Sequence, residues 1–314
     1  MIQTKSKPKS SKKKTPPKNT HGKIPTASAL EYRSTMFPLS KKGTTTTKYC
    51  EVEIVEGDGL CARHRDIIDA IMANKEFAVF DGAGQLHVGF DDCKIRKILG
   101  SKNVITTNGI TQRMGNTAGK WSNLEVQLQK ITKTIISVRH VGSRWFAAFP
   151  VLTEVGLSKR PTEHGSNKYE AMLKKIVFSV GAVDLLMNDI PLFIDSNIIN
   201  KMLALKYQVC RSVVRFCLSH TGEQNHYLKD VLSYVGATGN DRLMREYAAQ
   251  LNEERLALEA LGVFIRGGLA KGTIHYERQK GVFISLGNDQ LAAKNETTKN
   301  NEKGANKHQK KQKR

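Results

Sequence analysis

The sequence predicts an α+β chain made of two similarly built units in tandem between polar, basic ends. Three observations predict it. The first is uneven charge: 50 Lys+Arg face 29 Asp+Glu, a net +21. Residues 1–48 hold 12 basic side chains and one acid, Glu31, and residues 289–314 hold 8 basic and 3 acidic, so the middle is only mildly basic. The second is apolar periodicity, which is confined to that middle. The third is an element order (helices, then a glycine-jointed strand pair) that occurs once in each half of a chain whose 314 residues suit two domains. The ends are too poor in apolar residues to offset the entropy of ordering. They are therefore expected to be disordered basic tails, 1–48 and 289–314.

The first unit is expected over 49–157. ARHRDIIDAIMAN (Ala62–Asn74) carries Ile67, Ile68, Ile71 and Met72 at helical spacing. FAVFDGAGQLHVGF then places two apolar runs around Asp81-Gly82-Ala83-Gly84, the signature of a hairpin. A short helix follows over Asp91–Leu99, with Asp91 or Asp92 available to cap it. After a polar connection, a longer helix is expected from Asn116 to Ile131. KTIISVRHVGSRWFAAFPVL reads as two strands joined around Gly142-Ser143. Helix, hairpin, helix, helix, strand, strand is the order of a winged helix, a helix-turn-helix braced by a small antiparallel wing.

Residues 158–168 are polar and contain Pro161 and Gly165, so they are expected to connect the domains. The second unit is expected over 169–288 and opens with strand-like runs in MLKKIVFSVGAVDLLMNDIPLFI. Helices follow at Asp195–Leu203, Lys206–Ser219 and Lys229–Val235. Gly236-Ala237-Thr238-Gly239 makes a turn, and a long helix runs from Asn240 to Leu261 with Gly262 as its stop. VFIRGGLAKGTIHYERQKGVFISL alternates apolar and polar residues around Gly267-Gly268, as a wing does.

At 100° per residue, Leu243, Tyr247, Leu251, Leu258 and Leu261 share one side of the last long helix. Arg242, Arg245, Ala249 and Asn252 take the other. Arginine grips guanine O6 and N7 with two bonds, and asparagine does the same with adenine, so this outer face has the chemistry of major-groove reading. A solvated charged face is the alternative, and Glu246, Glu253 and Glu254 favour it toward the C-terminal end. In the first unit, Thr117, Trp121, Leu124, Leu128 and Ile131 line one side of the helix. Lys120, Asn123 and Gln127 lie on the other, an outer face without an acid that suits groove and phosphate contacts. The second wing carries Arg266, Lys271, Arg278 and Lys280. These cations suit phosphate, or serve as edge-strand charges that discourage aggregation.

Several classes are set aside. No run of about 18 apolar residues exists, and no apolar segment follows the basic start MIQTKSKPKSSKKKTPPK, so neither a membrane span nor a secretory signal is expected. The five cysteines (Cys50, Cys61, Cys93, Cys210, Cys217) form no CxxC pair and suit a reducing cytoplasm. Gly115–Ser122 and Gly267–Thr273 both miss the spacing of a phosphate-binding loop. Cys217, His220 and His226 are too few and too loosely spaced for a structural zinc site, and no carboxylate set suits two-metal cleavage. No cofactor, metal or catalytic activity is expected. The basic ends favour a polyanionic partner, nucleic acid first, with solubility as their alternative role.

PLFIDSNIINKMLALKYQVCRSVVRFCLSH, YLKDVLSYVGATG and DRLMREYAAQLNEERLALEALGV together resemble the C-terminal winged helix of theta-type plasmid replication initiators, the Rep superfamily. RHRDIIDAI, DDCKIRKILG and the strand pair after Ile131 are similar to its N-terminal winged helix. The likeness covers residues 55–287, outside both tails. It implies tandem winged helices that bind directly repeated origin sites (iterons) in double-stranded DNA, promote origin opening and recruit the host replicative helicase and initiator proteins. It also implies a homodimer in some states. Asn240, Arg242, Arg245, Ala249 and Asn252 would then read the major groove, with Lys120, Asn123, Gln127, Arg266 and Lys271 adding contacts. The lysine-rich N-terminal stretch departs from the family, and the connecting region does not align with it. A winged-helix transcriptional regulator without initiator activity is the alternative that keeps the same fold.

Overall fold

The computed structural model describes residues 24–33, 36–39, 44–46, 50–100, 104–107, 110–113, 123–140, 146–158, 173–220, 222–237, 239–269 and 271–278. They form a mixed α+β fold with several small antiparallel sheets. The described chain enters through β1 (Ala27–Ser28), α1 (Ala29–Arg33), β2 (Thr44–Thr46) and β3 (Cys50–Glu56). Next come α2 (Ala62–Ala73), β4 (Phe77–Phe80), β5 (Leu86–Phe90), α3 (Asp92–Ile98), β6 (Val104–Thr107), β7 (Ile110–Arg113) and α4 (Asn123–Thr132). Strands β8 (Ile135–His140), β9 (Phe146–Pro150), β10 (Leu152–Ser158) and β11 (Leu173–Phe178) lead to α5 (Val180–Asn188) and β12 (Pro191–Leu192). The rest comprises α6 (Ser196–Leu203), α7 (Gln208–Leu218), β13 (Gln224–Tyr227), α8 (Leu228–Tyr234), α9 (Asp241–Glu253), α10 (Arg255–Glu259), β14 (Val263–Arg266) and β15 (Thr273–Tyr276).

Local signals explain much of this. The β4–β5 turn closes because Asp81 Oδ1 accepts the amides of Ala83 and Gln85, both at 2.9 Å, and Gly84 supplies a positive φ of 87°. Asp91 caps α3, accepting from the amides of Cys93 and Lys94. The segment read as opening strands is one strand and then a helix. Ser179 Oγ accepts the amide of Ala182 and starts α5, which buries Ala182, Val183, Leu185 and Leu186.

Sheet pairing changes where the halves meet. One sheet runs β2-β3-β8-β9, a second β10-β11-β5-β4, and a third β13-β15-β14. β10 and β11 pair from Leu152↔Phe178 to Ser158↔Leu173, so the strands on either side of the expected connection share one sheet; of residues 158–168, all but Ser158 lie outside the described residues. β11 also pairs with β5, setting Ile176 opposite Val88 and Phe178 opposite Leu86, all buried. The opening strand of the expected second unit thus completes a sheet of the first. The reason is that β11, set between β10 and β5, has its backbone hydrogen-bonded along both edges, which a terminal edge strand cannot obtain.

The stretch 1–48, expected to be a tail throughout, is structured where it is described between 24 and 39. β1 pairs with β12, and Ile24, Ala27, Ala29, Leu30, Tyr32, Met36 and Phe37 are buried in the common core. Leu30 donates its amide to Asp189, and Arg33 donates to Ser219 Oγ (3.0 Å) and to the Ser219 carbonyl (2.5 Å). A Cβ on Gly236 would come within 2.8 Å of Pro38, which shows how tightly this arm lies against the turn after α8. Residues 1–23 and 279–314 lie outside the described residues.

Helix α2 is buried along nearly all of its length, including Arg65, Asp66 and Asp69. Such charges are tolerated only when paired. Arg65 Nε donates to Asp69 at 2.9 Å, and its terminal nitrogens lie 3.0 Å from Glu31 and 2.8 Å from Asp69, as ion pairs rather than aligned hydrogen bonds. From α7, Arg215 meets Asp69 at 2.7 Å and also pairs with Asp66, while Arg211 reaches Asp66 at 2.6 Å. The Tyr32 hydroxyl donates to Asp69 at 3.1 Å. Arg65 also lies over the rings of Tyr32 and Phe37, 4.9 and 5.7 Å from their centroids. Burial opposes the charge of Arg65 and Arg215, but the carboxylates outweigh it and hold both above the usual guanidinium range. Burial, then Asp69, pushes the Tyr32 hydroxyl up as well.

Replacing Arg215 by Leu should leave Asp66 with Arg211 and Asp69 with Arg65 and Tyr32, one buried cation short, and lower stability by about 3–5 kcal/mol. Arg211→Leu, at a site 18% exposed, should cost clearly less. Urea unfolding of the two variants tests this ordering, and equal losses would contradict it. At the end of α7, burial lowers the pKa of His220 from 6.5 to about 4, although its Nδ1 contacts the Phe216 carbonyl at 2.8 Å. Between those two pH values the unfolded chain binds the extra proton, so stability should fall as pH drops from 6.5 toward 4. His220→Phe should flatten this slope in urea midpoints measured across that window.

Candidate nucleic-acid interface

Helix α9 begins at Asn240, whose Oδ1 accepts the amide of Leu243 at 3.0 Å, with Asp241 in the first turn where the helix dipole favours an acid. Its inner side is held by Leu251, fully buried, with Leu243, Met244 and Tyr247 half-buried. The Cys210 thiol of α7 contacts the Gln250 carbonyl at 3.6 Å, so α7 is the surface on which α9 rests. Arg242, Arg245, Ala249 and Asn252 are all exposed on the opposite side, and Asn240 is exposed at the N-cap. Arg245 Nε donates to the Asp241 carbonyl one turn earlier, which steadies its guanidinium along the helix.

The long helix expected from Asn240 to Leu261 breaks at Glu254. That residue has φ −96° and ψ 16°, and α10 follows with Leu258 buried. The cause is tertiary. The Glu254 carboxylate accepts the amides of Lys206 (2.5 Å) and Tyr207 (3.1 Å) at the start of α7. Beside it, Glu253 accepts from Lys206 Nζ (2.8 Å) and the Tyr207 hydroxyl (2.6 Å). These bonds hold the Glu253 carboxyl below its usual range and the Lys206 ammonium above its own.

β13, β15 and β14 bring a second group together. Thr273 is paired with Tyr227 on one side and Arg266 on the other, and the Leu228 amide donates to the Gly272 carbonyl at 2.8 Å. Tyr227 (66% exposed), Lys229, Arg266 and Lys271 are therefore exposed around one end of this sheet. Gly267, with φ 76°, makes the turn that carries Lys271.

In the first half, Leu124, Leu128 and Ile131 are buried on α4 as their spacing requires. Asn123 is the first residue of α4. Lys120 and the expected helical residues 116–122 lie outside the described residues, as does Lys280. Gln127 is half-buried and lines a cleft of about 490 Å³ between the halves, together with Arg63, Arg96, Lys206 and Arg211. The structure thus groups Arg242, Arg245, Ala249 and Asn252 on one side of α9 with Asn240 at its N-cap, and separately Arg266 with Lys271, but sets Gln127 in the cleft. Tyr227, Lys229 and the cleft arginines went unnoticed in the sequence because they converge from separate elements and share no spacing. The rings of His220 and His226 are 5.2 Å apart and both pack on Phe216, and Cys217 is buried in the core. Comparison with protein-family models, curated proteins and solved structures finds no match to this chain.

Glu254→Ala removes the acceptor for two amides at the start of α7 and should lower stability by about 1 kcal/mol in urea unfolding. A variant as stable as the parent would mean that solvent satisfies those amides equally well.

Proposed function

We propose that this chain is a sequence-specific, non-enzymatic double-stranded DNA-binding protein built from two winged helices, and that it initiates plasmid replication. One observation carries the reading. α9 exposes Arg242, Arg245, Ala249 and Asn252 along one side while the other side is seated on α7. A helix 13 residues long, anchored this way, offers a rigid edge with the donors and acceptors that base pairs present in the major groove. The succession α7, β13, α8, α9, α10, β14, β15, with β13 paired to β15, supports a winged-helix reading of the second half. In the first half, α2, α3 and α4 followed by the β8–β9 hairpin support the same reading, with β4, β5, β10 and β11 as an added sheet. Arg266, Lys271 and Lys229 supply phosphate-binding charge beside the second reading helix.

The resemblance to the Rep superfamily extends this reading to iteron binding, origin opening and recruitment of the host helicase and initiator proteins, in the cytoplasm. Lys120 and Asn123 belong to the proposed interface by the helical spacing of the sequence and by that resemblance. Selection of bound sites from a random duplex library, followed by fluorescence anisotropy, tests the core of it. A single preferred sequence should emerge, and direct repeats of it beside an AT-rich segment near the gene would favour an initiator over a transcriptional regulator. Arg245→Ala should cost roughly 1–3 kcal/mol on that sequence and relax discrimination at one base pair. Equal loss on selected and scrambled duplexes would remove Arg245 from base reading.

A further inference from the structure

The cleft between the halves has chemistry of its own. Its described lining includes four cations, Arg63, Arg96, Lys206 and Arg211, against a single carboxylate, Asp66. Three of the cations are fixed in place. Arg96 Nε is held by Asp92 at 2.7 Å and Lys206 by Glu253 at 2.8 Å. Arg211 is clamped by Asp66 and by the carbonyls of Leu205 (2.8 Å) and Lys206 (3.3 Å). Asp66 is in turn occupied by both Arg211 and Arg215, so ion pairs offset the charges of Arg96, Lys206 and Arg211 as they offset that of Asp66. Arg63 differs: it is exposed and makes no ion pair among the described residues. A volume of about 490 Å³ is within the size range of small-ligand pockets. Cations on low-dielectric walls concentrate positive potential inside such a cleft.

We infer that this cleft binds a phosphate ester, with Arg63 as the guanidinium that grips it and supplies the uncompensated charge, and the held N–H groups of Arg96, Lys206 and Arg211 as the wall around it. Arginine is suited to the task because its fork matches two phosphate oxygens at once. Two sources share this chemistry: a backbone phosphodiester of bound DNA and the phosphates of a free nucleotide. The first rests on the DNA reading above, since α4 lines one wall and Lys206 is tied to the end of α9, so the cleft lies between the two proposed reading helices. The second does not rest on it.

The full-length chain, Arg63→Ser, Arg63→Lys and the control Lys201→Ser, an exposed lysine outside the lining, are compared in two assays. One titrates salt against duplex DNA, and the other measures binding of a fluorescent ATP analogue and of pyrophosphate. For a backbone phosphate, Arg63→Ser should weaken binding to every duplex alike and reduce the log–log salt slope by about 1. Arg63→Lys should retain the slope, and Lys201→Ser should change nothing. For a free nucleotide, the parent should bind the analogue and Arg63→Ser should bind it about tenfold more weakly, with duplex binding unaltered. If Arg63→Ser matches the parent in both assays, or Lys201→Ser matches Arg63→Ser, the cleft is not a phosphate site. Arg245→Ala in the duplex assay separates the two failures. Loss there without loss in Arg63→Ser overturns the cleft alone. A chain that binds no duplex overturns the DNA reading, and the nucleotide assay then decides the cleft.

Discussion

The pairing of three buried charges on α2 with partners from two other parts of the chain governs this fold. Arg65, Asp66 and Asp69 are 2%, 2% and 0% exposed, and an isolated charge at such depth is too costly to keep. They are neutralised from two directions: Arg65 by Glu31 of the N-terminal arm, and Asp66 and Asp69 by Arg211 and Arg215 of α7, with the Tyr32 hydroxyl also donating to Asp69. A hydrophobic contact between the halves would tolerate small slips, because apolar burial has no direction. Ion pairs with fixed hydrogen-bond geometry do not, so the halves and the arm meet in one arrangement. Asn74 and Asn200 add a reciprocal pair of amide hydrogen bonds, 2.9 and 3.3 Å, between the end of α2 and α6.

That junction sets the stage for the surfaces outside it. α7 packs its charged residues against α2 and carries α9 through Cys210, so the orientation of the outer face of α9 is inherited from the ionic centre. Glu253 and Glu254 tie the far end of α9 to the start of α7. The carboxylates that look like a solvated acidic end in the sequence therefore serve as helix-end acceptors. The basic cleft opens at the same seam, lined from α2, α3, α4 and the start of α7. A site made this way exists only when both halves are docked.

Much of the architecture was legible in the chain. Ile67, Ile68, Ile71 and Met72 mark the buried side of α2, Asp91 the start of α3, and the apolar stripe ending in Leu251, Leu258 and Leu261 the inner side of the last helices. The outward position of Arg242 and Arg245 followed from the same periodicity. What misled was composition averaged over long windows. Residues 24–39 sit in a stretch dominated by lysine, yet Ile24, Leu30, Tyr32 and Phe37 are enough to anchor an arm once a groove exists to receive them. The strands β10 and β11, which flank a segment with the makeup of a linker, share a sheet with β5 of the first half, a pairing that no local composition marks.

Periodicity and capping chemistry determined helices, hairpins and their buried faces, because those depend on neighbours within a few residues and on the contrast between oil and water. The tertiary structure alone decided that Arg65 and Arg215 are interior, that α9 ends at Glu254, that β11 completes the sheet of the preceding half, and that four distant cations share a cleft. Each of these depends on partners far away in sequence: Glu31 lies 34 residues before Arg65, Asp69 lies 146 residues before Arg215, and Lys206 lies 48 before Glu254. Electrostatic pairing and sheet registry act through space, and no local pattern of residue types encodes which distant group will answer.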